Sequence, residues 1–73
     1  MDESRFRNTR IELGSTIKRL RVAQGLSQRK LALMIGMDYS YICNIENGRA
    51  NASIDALLKI ADGLDVRLRD FVA

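Results

Sequence analysis

Between positions 39 and 47 the chain sets Tyr39, Ser40, Cys43, Asn44 and Asn47 at intervals of one, three and four residues. At about 100° per residue, Ser40, Cys43, Asn44 and Asn47 share one side of an α-helix, and Tyr39 borders them. Ile42 and Ile45 point the opposite way. The polar side carries small, mostly uncharged groups that can come close to a hydrogen-bonding surface. Asn44 holds a donor and an acceptor side by side, the arrangement that suits N6 and N7 of adenine. Ser40 can donate or accept, and the Tyr39 ring can meet a thymine methyl group or a phosphate. A solvated helix face would have the same pattern, so the surrounding elements must decide.

Other chemistries are excluded by what is missing. The 73 residues contain no histidine, no proline, no tryptophan and one cysteine. Without histidine, Ser-His-Asp and Cys-His nucleophiles are impossible, and no plausible zinc or haem site remains. Cys43 cannot form an internal disulfide. With no base partner or resolving cysteine in view, it reads as a small filler on the polar face. No apolar stretch nears the roughly 20 residues that span a bilayer, and no signal-peptide core is present. The expectation is a cytoplasmic protein that is not an enzyme. It carries no cofactor and no metal, takes no small-molecule ligand and does not enter a membrane.

Charge is unevenly spread. Residues 1–49 hold nine Lys/Arg against five Asp/Glu, and residues 50–73 hold three against four, within a net charge of +3. A basic N-terminal two-thirds suits a polyanionic partner.

The elements that position the polar face follow from caps and periodicity. Residues 1–8 read as a flexible basic arm, able to reach into a groove through Arg5, Arg7 and Arg10. Residues 9–73 read as a single domain. Thr9 and Glu12 match a capping box, and Leu13, Ile17 and Leu20 form one face of a first helix that ends near Gly25. Ser27 caps a second helix carrying Leu31, Ala32 and Ile35, which Gly36 stops. Asp38 opens a third through about Asn47. Ser53 caps a fourth, with Asp55 in its first turn and Leu57, Ile60, Ala61 and Leu64 as its stripe. Val66 to Ala73 predicts a short fifth helix. The fold class is all-α, five helices around one core.

Here the residues carry a resemblance. Leu13-Gly14, Ile17-Lys18, Leu20-Arg21, Gly25-Leu26-Ser27-Gln28, Leu31-Ala32, Gly36, Tyr41-Ile42 and Ile45-Glu46-Asn47-Gly48-Arg49 resemble the Cro/phage-repressor (XRE-type) helix-turn-helix family from about Leu13 to Phe71. The resemblance implies a lambda-repressor-like DNA-binding domain, with the helix-turn-helix formed by helices 2 and 3 and helix 3 in the major groove. It places base readers at Tyr39, Ser40 and Asn44, and Cys43 shares their face. It puts Gln28 against the DNA backbone while bracing helix 3, and makes Tyr41, Asn47, Arg49 and Ser53 a phosphate clamp. Arg29, Lys30 and Arg21 read either as further phosphate contacts or as surface charges, and Glu46 reads as structural, paired with an arginine such as Arg21. Departures from the family pattern are Ala52 for a proline, Gly63 for a better helix former, Asp65 for a terminating glycine and Arg67 for a capping hydroxyl.

One recognition helix reads few base pairs, and the resemblance implies a homodimer on a palindromic operator, its two helices about 34 Å apart. Leu64, Val66, Leu68, Phe71 and Val72 exceed what a small core needs, so the dimer contact is expected there, Phe71 and Val72 first. With no sensor domain in these residues, regulation is expected through concentration or a partner. The reading is a sequence-specific, autoregulatory transcriptional regulator of phage Cro-like or restriction–modification controller type, prokaryotic or phage-encoded and nucleoid-associated. The alternative is a protein-bridging or antitoxin-type module on the same fold, which would want an apolar or acidic outer face on helix 3.

Overall fold

Hydroxyl caps start two of the helices. Ser27 Oγ accepts the Lys30 amide at 3.0 Å and opens α2 (Gln28–Ile35). Ser53 Oγ accepts the Ala56 amide at 3.1 Å and opens α4 (Ile54–Gly63). Gly36 ends α2 at φ 65°, a left-handed conformation that costs glycine nothing and turns the chain into α3 (Tyr39–Glu46). Asp38 holds the N-cap position of α3, but its carboxylate accepts the Ser40 hydroxyl instead of a helix amide. This computed structural model describes residues 3–72.

The first helix corrects the expected arm. α1 runs Glu3–Ala23, so Arg5, Phe6, Arg7 and Asn8 form helical turns, and Thr9 is no cap: its hydroxyl donates to the Arg5 carbonyl at 3.0 Å within the helix. The cause is local. No glycine or proline precedes Gly14, Glu3 suits the positive end of the helix dipole, and Glu3 pairs with Arg10 at 3.2 Å. Met1 and Asp2 of that arm, and Ala73 at the end of the expected domain, lie outside the described residues.

The fifth helix is also corrected. Among the described residues there are four α-helices and then a single 3₁₀ turn, Leu68–Phe71. Arg67 has no hydroxyl to cap a longer helix. Its amide is taken by Asp70 Oδ2 at 2.8 Å, which closes one tight turn. Asp65 takes the left-handed conformation at φ 56° that a terminating glycine would supply, as its side chain allows.

Ile17, Leu31, Ile42, Ile60 and Leu64 are wholly enclosed, and Ala32, Ile45, Leu57, Ala61 and Phe71 complete the core. α3 lies against α1 and α2, α4 against α2, and the 3₁₀ turn closes over α1 and α4. Two glycines permit close crossings. A Cβ on Gly14 would overlap the carbonyl oxygen of Ile45, so α1 rests directly on the last turn of α3. A Cβ on Gly63 would strike Ile35 where α4 crosses α2, which explains a glycine inside a helix.

This packing overturns part of the expected dimer contact. Phe71 is 3% exposed and Leu64 is fully buried, so both are core residues. Val66 and Leu68 are half-buried against the same core, and of the five only Val72 stands free. The four helices leave their open side to the C-terminal turn, and Phe71 fills it.

Candidate nucleic-acid interface

The centre of the site is a buried ion pair. Arg21, near the end of α1, donates from Nε to Glu46 Oε2 at 2.6 Å and from Nη2 to Glu46 Oε1 at 3.0 Å. A third bond runs from Nη1 to the Leu26 carbonyl at 2.5 Å. Gln28 Nε2 at the head of α2 donates to the same Glu46 Oε1 at 2.9 Å. Both charged residues are nearly enclosed, with Arg21 at 7% and Glu46 at 6% exposure, and no buried polar side-chain atom of the described residues lacks a partner. The hydrogen bond to Glu46 raises the Arg21 guanidinium above its ordinary pKa, against the opposing pull of burial. The Arg21–Glu46–Gln28 network thus ties together α1, α2 and α3, and Arg21 adds the α1–α2 turn through Leu26.

That network corrects the expectation for Arg21. Its guanidinium is consumed inside the fold and is not available to a phosphate. The structural pairing with Glu46 is the role that the geometry supports. Gln28 spends an N–H on Glu46 and braces α3, leaving its other polar positions at the mouth of a shallow groove with Ser27, Arg29 and Tyr39.

On α3, Ser40 and Asn44 are exposed, Tyr39 is 41% exposed at the border and Cys43 is half-buried beside them. The hydrogen bonds refine what each can do. The Ser40 hydroxyl proton goes to Asp38, so outward Ser40 offers only lone pairs. Asn44 makes no side-chain hydrogen bond within the described residues and keeps both its donors and its acceptor. The Asn47 side-chain amide donates to the Cys43 carbonyl at 2.9 Å and to Cys43 Sγ at 3.5 Å, which pins it to the helix end and leaves its carbonyl oxygen outward. Arg29 lies over the Tyr39 ring at 4.7 Å, a stacking contact that holds both at the junction of α2 and α3.

The expected clamp residues fall into two groups. Tyr41 Oη accepts the Ser53 amide at 3.3 Å, and Ser53 Oγ accepts the Ala56 amide, so both hydroxyls sit together with their protons unspent. Two O–H donors with no acceptor among the described residues thus stand beside the start of α4, an arrangement able to donate to an anion. Arg49 is exposed on the loop between α3 and α4. Lys30 is exposed on α2. The family resemblance has Gln28 bracing helix 3, but sequence reasoning did not name Glu46 as its partner and missed the Arg29–Tyr39 stack. A glutamine and a glutamate 18 residues apart give no local signal of contact.

A family model described as helix-turn-helix matches residues 17–71. This chain belongs to the helix-turn-helix family. It is 39% identical over 62 residues to the control protein C.MunI of Mycoplasma sp, covering 84% of each chain. Among solved structures, it resembles the restriction–modification controller protein C.AhdI from Aeromonas hydrophila, with a TM-score of 0.83, 39% identity, and coverage of 85% of this chain and 94% of that one. It also resembles SinR, a master regulator for biofilm formation solved in complex with DNA, with a TM-score of 0.78, 35% identity, and coverage of 84% of this chain and 98% of that one. In this helix-turn-helix protein no helix among the described residues is long and apolar enough to cross a membrane. No group of three or more Cys, Asp and Glu among them could hold a metal ion.

Proposed function

We propose that this helix-turn-helix chain is a DNA-binding transcriptional regulator of the restriction–modification controller type, acting in the cytoplasm on the DNA upstream of its own gene. One observation carries the reading: a short helix whose outer face is polar and whose inner side is locked by the Arg21–Glu46–Gln28 network. α3 enters the major groove. Asn44 reads a base as paired donor and acceptor, Ser40 accepts from a base amino group, and the Tyr39 ring flanks them. Tyr41 and Ser53 donate to one phosphate, and Arg29 and Arg49 add backbone contacts. Kinship with C.MunI and C.AhdI supports the controller type. The outer face of α3 is neither apolar nor acidic, which disfavours a protein-bridging role.

A two-fold homodimer on a palindromic operator completes the reading, because one short helix spans too few base pairs to select a site. Exposed apolar residues suited to the contact are Val72 and, one turn apart on α4, Ile54 and Leu58.

The test is binding to that upstream duplex and to a scrambled duplex over a salt series, with sedimentation of the complex to count chains. Selective, salt-sensitive binding by two chains is expected, and selectivity should vanish in Asn44→Ala. Equal, weak binding to both duplexes would reduce the reading to non-specific electrostatics.

A further inference from the structure

The first turns of α1 carry cations that the helix-turn-helix does not use. α1 reaches back to Glu3, so Arg7 belongs to regular helix. Its direction is set by two close contacts. Gly48 lies on the backbone of Ile11, where an added Cβ would come within 2.9 Å of the Ile11 Cα. Gly14 lies on the carbonyls of Ile45 and Glu46. Ile11 and Gly14 therefore mark the side of α1 that faces the end of α3 and the loop after it. Arg7 precedes them by four and seven residues, which places it on that same side, about 6 Å further along the axis. Gly48 itself stands between Asn47, at the end of the polar face, and exposed Arg49.

The charge is unspent. Glu3 pairs with Arg10, while exposed Arg7 has no ion pair among the described residues. Arg5, also exposed, sits about 160° round the helix from Arg7 and points away from the α3 end.

We infer that Arg7 is a DNA-backbone contact outside the helix-turn-helix itself, taking a phosphate adjacent to the one met by the Arg49 loop. The inference rests on the DNA-binding reading above. It makes the N-terminal turns of α1 a rigid extension of the backbone grip, with Arg7 one turn beyond the Ile11–Gly48 contact that carries the Arg49 loop.

The experiment compares wild type, Arg7→Gln, Arg7→Lys and Arg5→Gln on the duplex upstream of the protein's own gene, measuring affinity across a salt series. The two glutamine variants remove the same charge from the same helix, so they share any long-range field effect. The expected result is that Arg7→Gln weakens binding several-fold and lowers the slope of log K against log salt by about 0.9, the share of one phosphate. Arg7→Lys should keep the slope, and Arg5→Gln should keep both slope and affinity near wild type. Equal effects of Arg7→Gln and Arg5→Gln, or none from either, overturn the inference while wild-type binding leaves the DNA-binding reading standing. Absence of wild-type binding overturns both. Thermal melts of the free variants check that folding is unchanged, as exposure of both side chains requires.

Discussion

Glu46→Ala should strongly destabilise this protein although Glu46 is buried away from the polar face of α3. The carboxylate takes three charge-assisted or amide hydrogen bonds, two from Arg21 at 2.6 and 3.0 Å and one from Gln28 at 2.9 Å. Its removal leaves the Arg21 guanidinium 7% exposed with only the Leu26 carbonyl as acceptor. Breaking one side of a buried pair costs about 3–5 kcal/mol, because the surviving charge remains desolvated. A 73-residue domain has a total stability on the order of 4–11 kcal/mol at typical per-residue values. The substitution therefore consumes about a quarter of the stability at least, and in the weaker case all of it. Urea unfolding followed by circular dichroism, at one fixed protein concentration, is the assay. Arg21→Met combined with Glu46→Leu should recover much of the loss, since it removes both charges and keeps the volume. A Glu46→Ala variant less than about 1 kcal/mol below wild type would refute the reasoning, since exposed ion pairs are worth that little.

Gly14→Ala drives a methyl group into the Ile45 carbonyl at the α1–α3 crossing. It should cost about 1–3 kcal/mol in the same urea assay despite alanine's better helix propensity, and a stabilised variant would contradict the close crossing. Tyr41→Phe removes an O–H donor but no charge. It should weaken operator binding by about 1 kcal/mol, roughly five- to tenfold, with the salt slope unchanged, and a changed slope would argue against a neutral hydrogen bond to phosphate.

Much of the fold was legible because helix boundaries are written locally. Ser27 and Ser53 cap as their hydroxyls and positions foretell, Gly36 ends α2, and even Asp65 turns left-handed where a glycine would be expected. The polar face of α3 was legible from spacing alone, since a 3.6-residue repeat assigns Ser40 and Asn44 to one side and Ile42 and Ile45 to the other. The start of α1 was misplaced because Thr9 offered a cap signal inside a segment that has nothing to break a helix. The length of the last element was misjudged because a single tight turn and a short helix share the same apolar spacing.

The sequence by itself determined the helix order, the sharp turn between α2 and α3, membership of the polar face and the absence of histidine-based chemistry. The first three depend on residues within a few positions of one another, and the last on composition alone. Tertiary structure decided the fate of Arg21, Gln28, Phe71 and Arg7. Arg21 left the list of phosphate contacts because a carboxylate 25 residues away in the chain closes on it, and Phe71 left the dimer surface because the core had room for one more ring. Arg7 gained a direction only when Gly48 was found on the backbone of Ile11. Burial and partnership are sums over neighbours that packing brings together from distant parts of the chain, and no local window of sequence contains them.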